Sequence, residues 1–157
     1  MKIILISVMI LLATRSHAQE IAIEGEVTKP MNITVADMSK FPANEITAKD
    51  RDGKDHIYKG TLLANVLSAA GVTLGKDLRG ENLVKYVIVK AVDGYEVVYS
   101  LAEVDPEFSS GNVLLATHVD GTPLPASEGP FRLVNSLDKR PARWVRQVTG
   151  IKVMFSK

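Results

Sequence analysis

The stretch Leu114–Val134 reads LLATHVDGTPLPASEGPFRLV, and its parsing decides the fold. Val113 to Val119 is a short apolar run closed by Asp120-Gly121, which predicts a buried strand followed by a tight turn. Gly129-Pro130 is a stiff, turn-like lead-in to a second strand, FRLVNS, that carries Arg132 near its start. The pattern is therefore strand, turn, strand, with an arginine fixed by the second strand.

The flanking sequence continues in the same style. On the C-terminal side, RPARWVRQ predicts a helical turn with Pro141 near its start, and VTGIKVMF closes as a strand. On the N-terminal side, VKYVIVKAVDGYEVVYS is a hairpin turning at Asp93-Gly94, and SLAEVDPEF predicts a short helix ending before Pro106. GTLLANVLSAAG is the clearest helix: Leu62, Leu63, Val66, Leu67 and Ala70 share one face, with Thr61 as the expected N-cap and Gly71 just past the end. NEITAKDRDGKDHIYKG predicts a hairpin with Asp52-Gly53 at its tip. IAIEGEV alternates as a half-exposed strand, and Thr34 is placed to cap a helical turn over Ala36–Lys40 that Pro42 stops. Many short strands, Asp-Gly turns and one or two helices predict an α+β fold rich in β, without repeats or linkers.

The first eighteen residues, MKIILISVMILLATRSHA, read as a secretory signal: Lys2, an apolar run from Ile3 to Ala13, and Ser16-His17-Ala18 as the cleavage site. The run is too short to span a bilayer, which takes about 20 residues. Residues 19–157 are then one domain, periplasmic or secreted, with no membrane span expected. There is no cysteine, so the chain has no disulfide, thiolate metal ligand or cysteine nucleophile. Without the leader the net charge is −1, but it is unevenly spread: +6 from Phe131 to Lys157 and −7 from Gln19 to Pro130. A general nucleic-acid binder is usually basic overall, so a nucleic-acid partner is not expected; a local anion site is compatible with this distribution.

Few residues present themselves for chemistry. His56 and His118 lack metal-ligand spacing, and no nucleophile elbow is present. Asp50, Asp52 and Asp55 in KDRDGKDH fall short of a calcium loop and read as a solvated hairpin tip. The segment Ser127–Trp144 is richer, with Arg132, Lys139, Arg140, Arg143 and Trp144 against Glu128 and Asp138. Arginine suits bidentate contacts with phosphate, sulfate or carboxylate. Two readings stand: the arginines converge on an anion with Trp144 shielding one side, or Arg132 pairs with Glu128 or another acid while the loop charges are solvated.

Read in order, the pieces resemble the molybdopterin-binding domain of sulfite-oxidase-type oxidoreductases. The resemblance rests on IEGEVTKPMNITVADMSKFP, YKGTLLANVLSAAGV, KAVDGYEVVYSLAE, LLATHVDGTPLPASEGPFRLV and RPARWVRQVTGIKV, and spans nearly all of Gln19 to Phe155. It implies a mixed-sheet fold and a pocket for the pterin's phosphate and ring. Arg132 matches the family's strand arginine, Arg143 and Trp144 its basic-Trp pair, and Gly129 its glycine lead-in; these are the implied cofactor-binding residues.

The chain also departs from that family. Catalytic members hold molybdenum through a cysteine placed near Ala48 to Asp50, and here there is none. Where the family often has histidine before the glycine, this chain has Glu128. Members exported with cofactor usually leave by a twin-arginine signal, whereas this leader has only Lys2 before its apolar run. The expectation is an exported, non-redox module that binds a small anionic ligand or an envelope protein, with no cofactor expected, molybdopterin as the possible one, and no metal residue assigned. The alternative is a molybdopterin-dependent oxidoreductase with a non-cysteine metal site.

Overall fold

The computed structural model describes residues 19–110 and 113–156; the expected leader lies outside the described residues. Two five-stranded sheets carry the fold. The first contains β1 (Ile21–Gly25), β2 (Met31–Ile33), β5 (Lys85–Ala91), β6 (Glu96–Ser100) and β10 (Val148–Phe155), in the order β2-β1-β10-β5-β6. β1 and β10 run parallel, joining the two ends of the domain, and the remaining pairs are antiparallel. The second sheet contains β3 (Asn44–Lys49), β4 (Asp55–Leu62), β7 (Val113–Val119), β8 (Thr122–Pro123) and β9 (Arg132–Asn135), with β7 paired to β4, β8 and β9. Two short helices, α1 (Leu63–Ala69) and α2 (Leu101–Val104), and short 3-10 turns complete the described regular structure.

Local chemistry explains most of these elements. Asp120 and Gly121 take positive φ, as the tight turn between β7 and β8 requires. α2 starts with a reciprocal capping box, in which the Ser100 hydroxyl accepts from the Glu103 N–H and the Glu103 carboxylate accepts from the Ser100 N–H. α1 ends as the sequence predicts: Gly71 sits at φ +75° and the Val72 N–H reaches back to the Leu67 carbonyl. Its beginning differs. Thr61 is not the N-cap, because β4 continues through Leu62 and pairs Thr61 with Leu115. Its hydroxyl instead accepts from Asn65 inside the fold.

β7 shows how the core is divided. Val113 and Leu115 point into the main core, with Ile21, Val66, Leu67, Val87, Val89 and Ile151. The intervening Leu114 and Ala116 point to the opposite face, into a second cluster of Ile46, Ala48, Tyr58, Val134 and Trp144. A strand covered on both faces reads as a continuous apolar run, which is what the sequence shows. β9 repeats the alternation, with Leu133 in the main core and Val134 in the second cluster. Arg132, two residues before Val134, therefore emerges on the second-cluster face. Each fully buried Leu or Ile contributes about 1.5–3 kcal/mol of transfer free energy, so the apolar alternation dominates the choice of register.

Candidate functional site

Arg132 is the most buried charge of the domain's second face, with its side chain 1 % exposed. Its Nη2 donates to Asp50 Oδ2 at 2.8 Å, and its Nη1 donates to Glu128 Oε2 at 2.7 Å and to the Tyr58 hydroxyl at 3.1 Å. The Tyr58 hydroxyl in turn donates to Asp50 Oδ2 at 2.7 Å, closing a ring of hydrogen bonds. The guanidinium carbon lies 5.2 Å from the Tyr58 ring centre and 5.6 Å from that of Trp144, and the two rings meet edge to face. Arg132 Nε and Trp144 Nε1 are enclosed donors with no hydrogen-bond partner among the described residues.

Both acids are presented by tight turns. Asp50 ends the first arm of the β3–β4 hairpin; its N–H donates to Lys54 O and its carbonyl accepts from Gly53. Glu128 lies in a turn held by Pro125 O, and its carbonyl accepts from the Gln147 N–H. Burial pushes the Asp50 carboxyl up, but hydrogen bonds from Tyr58 and the Arg51 N–H and the charge of Arg132 outweigh it, leaving it at about 2. Burial first, and then the bond to Asp50, raises the Tyr58 phenol well above its ordinary range.

A second polar knot sits beside the first. His56 Nδ1 lies 2.7 Å from Asp120 Oδ2 and its Nε2 lies 3.0 Å from Asp52 Oδ2. Ionised carboxylates only accept, so two such bonds require both ring nitrogens to be protonated. The Asp120 bond and then the Asp52 bond raise the imidazole pKa accordingly. Asp120 also accepts from the Ile57 N–H. This ion pair ties the β3–β4 tip to the β7–β8 turn. Of the hairpin-tip acids, Asp52 is engaged in this way and Asp50 by Arg132 and Tyr58, and the described residues contain no group of acids and histidines able to hold a metal ion. His118 is elsewhere, with Nδ1 against the Thr117 hydroxyl.

Two clefts open along these knots and share Arg51 and Arg146 as a wall. One, of about 340 Å³, is lined by Asp50, Asp52, Asp120 and Glu128 and by His56, Arg132 and the two shared arginines. Its charges balance when His56 is protonated. The other, of about 400 Å³, is lined by Arg51, Arg146, Tyr95, Trp144, Ser127 and Asp93 among others. Arg146 is partly engaged by Glu128 at 3.2 Å, whereas the exposed Arg51 guanidinium has no acid partner among the described residues.

The sequence-derived site residues divide into separate places. Arg132 and Trp144 come together. Arg143 does not join them: it forms a two-bond pair with Asp138 (2.6 and 3.3 Å), reaches Glu103 at 3.0 Å and stacks 4.2 Å over the Tyr99 ring. Trp144 follows it in a tight 3-10 turn and is buried in the second cluster. Lys139 and Arg140 are exposed, without side-chain partners among the described residues. Gly129 serves packing, since a Cβ there would lie 2.8 Å from the Leu124 Cβ. Asp50 reads in the sequence as part of a solvated hairpin tip and His56 as a histidine without ligand spacing, and nothing there singles out Tyr58, Arg51 or Arg146. The period-2 spacing of His56 and Tyr58 on β4 was the available signal that they share a face.

A mixed α+β architecture of two sheets, with an arginine-centred cleft beside the β3–β4 hairpin, defines the class. A family model, "Oxidoreductase molybdopterin binding domain", matches residues 52–157, and the chain belongs to this family. The crystal structure of the sulfane dehydrogenase SoxCD from Paracoccus pantotrophus superposes with a TM-score of 0.68 at 20 % sequence identity, over 87 % of this chain and 38 % of that one. This likeness supports the sulfite-oxidase-type fold, and the chain spans well under half of that relative's length. A comparison with curated protein sequences gave no match.

The side chains present do not fit the cofactor in the way the resemblance implies. Both terminal nitrogens of Arg132 hold partners, Asp50 on one and Glu128 and Tyr58 on the other, and its Nε is enclosed without one. The region where a thiolate is expected offers Asp50, already bonded to Tyr58 and Arg132. An incoming phosphate at Arg132 would have to displace a carboxylate held by a tight turn.

Proposed function

We propose that this chain is an exported, non-redox member of the molybdopterin-binding-domain family. It binds a small anionic ligand or an envelope protein in the cleft walled by Arg51, Arg146, Tyr95 and Trp144. The observation that carries this reading is the neutralisation of Arg132 by Asp50 and Glu128, in a chain that contains no cysteine. Anion recognition then falls to Arg51, whose guanidinium is free for bidentate contact, with Arg146 beside it and Trp144 and Tyr95 as aromatic walls.

The family match favours a second reading, an oxidoreductase whose molybdenum takes an oxygen ligand in place of thiolate. Protein purified from its native compartment decides between them through molybdenum content and the fluorescence of oxidised pterin. Stoichiometric metal sinks the non-redox reading; absence of both supports it. Ligand binding is read from Trp144, the chain's one tryptophan, by titrating benzoate. Saturable quenching that weakens about tenfold in Arg51→Ala is expected for loss of one charge-assisted contact.

A further inference from the structure

We infer that Arg132 is the centre of an oxyanion site already occupied from within, with the carboxylates of Asp50 and Glu128 as its resident anions. The inference goes beyond the proposed function, since it concerns which groups can reach Arg132 and holds whichever ligand the cleft of Arg51, Arg146, Tyr95 and Trp144 takes.

The arrangement has the features of a bound ligand. Asp50 and Glu128 reach the guanidinium from two different turns and take its two terminal nitrogens at 2.8 and 2.7 Å. Tyr58 donates to the same Asp50 oxygen, as a site hydroxyl would to a bound anion. The carboxylates are presented rigidly, because the backbone of each acid is fixed by hydrogen bonds within its turn. Glu128 is further held through its other oxygen by Arg146. All four nearest carboxylates of this cleft are engaged: Asp50 and Glu128 by arginines, Asp52 and Asp120 by His56. An external phosphate or sulfate could reach the terminal nitrogens of Arg132 only by displacing Asp50 or Glu128, and the displaced carboxylate would then stand beside it as a like charge. Arg132 is therefore closed to external oxyanions, while Arg51 and Arg146 on the shared wall stay open to them.

The test is a gain of function. Isothermal titration with inorganic phosphate, at constant ionic strength, is run on the wild-type chain, on Glu128→Gln and on Asp50→Asn/Glu128→Gln. Both amides keep the shape and the hydrogen-bond acceptor while removing the charge. The wild type shows no phosphate binding that depends on Arg132: any saturable heat at millimolar phosphate, from Arg51 and Arg146, is the same in Arg132→Met. Glu128→Gln gains weak binding, and the double variant binds at least about tenfold tighter than the single one, as one further charge-assisted contact becomes available. Adding Arg132→Met to the double variant abolishes the gain. Denaturant unfolding confirms that each variant is folded, and Glu128→Gln carries the test alone if the double variant is not. Saturable binding to the wild type that disappears in Arg132→Met overturns the inference, as does the absence of any gain in every folded variant. Molybdenum content reads the proposed function separately, so failure of one leaves the other standing.

Discussion

Replacing Arg132 by methionine removes a guanidinium whose side chain is 1 % exposed and leaves two carboxylates facing each other beside Tyr58. The methionine retains much of the aliphatic bulk, so little cavity forms. The cost comes from stranding acids, which at a buried pair amounts to about 3–5 kcal/mol. Asp50 and Glu128 are 12 % and 17 % exposed, so water relieves part of it and the lower end of that range is expected. For a domain of this size, 3 kcal/mol lowers the melting temperature by roughly 10 °C. The assay is urea unfolding followed together by far-ultraviolet circular dichroism and by Trp144 emission, which reports directly on this cluster. A further signature separates stranded charge from lost packing: adding Asp50→Asn and Glu128→Gln to Arg132→Met restores most of the loss. A single variant within about 0.5 kcal/mol of wild type, the scatter of ordinary surface changes, refutes the reasoning. So does a triple variant less stable than the single one.

Other expectations follow from the same geometry. With its carboxyl at about 2 in the fold, below the unfolded value of 3.8, Asp50 adds stability that is full above pH 4 and is lost as pH falls toward 2. Solvent screening limits it to about 1–2 kcal/mol, measured as the difference between wild type and Asp50→Asn in acid unfolding curves. His56 acts in the opposite sense: its raised pKa makes its contribution full below about pH 6.5 and lost as pH rises through the folded value. Nuclear magnetic resonance titration should find this imidazole more basic in wild type than in Asp120→Asn. Gly129→Ala forces a Cβ to 2.8 Å from Leu124 and should cost about 1–3 kcal/mol in denaturant unfolding. Arg143→Ala should cost about 1 kcal/mol and leave benzoate binding unchanged, since its partners are Asp138, Glu103 and Tyr99.

The fold was legible because its signals are local. Asp93-Gly94 and Asp120-Gly121 mark turns by backbone chemistry alone, and the apolar run of β7 announces a strand covered on both faces. Thr61 misled because a hydroxyl before an apolar-periodic stretch has the same appearance at a helix N-cap as at the end of a buried strand; pairing with Leu115 decided it. At the site, Glu128 was readable as a partner of Arg132 since four residues separate them across one turn. Asp50 and Tyr58 were not, because β4 brings them in from a distant hairpin by pairing with β7. The expected convergence of Arg143 on Arg132 fails for a geometric reason: in the 3-10 turn before Trp144, Trp144 enters the second cluster while Arg143 turns to Asp138 and Glu103.

These facts connect the two departures from the family pattern. A guanidinium enclosed among Tyr58, Trp144 and Val134 cannot stay unpaired, since an uncompensated buried charge costs several kcal/mol. If an external anion does not supply the counter-charge, the chain must. Glu128, standing where the family often carries histidine, supplies one carboxylate, and Asp50, in the region where a thiolate is expected, supplies the other. Asp50 and Glu128 together therefore neutralise Arg132 in a chain without cysteine. The apolar framework of β7 and β9 does not depend on these two acids, since it is built from Leu114, Leu115, Leu133 and Val134.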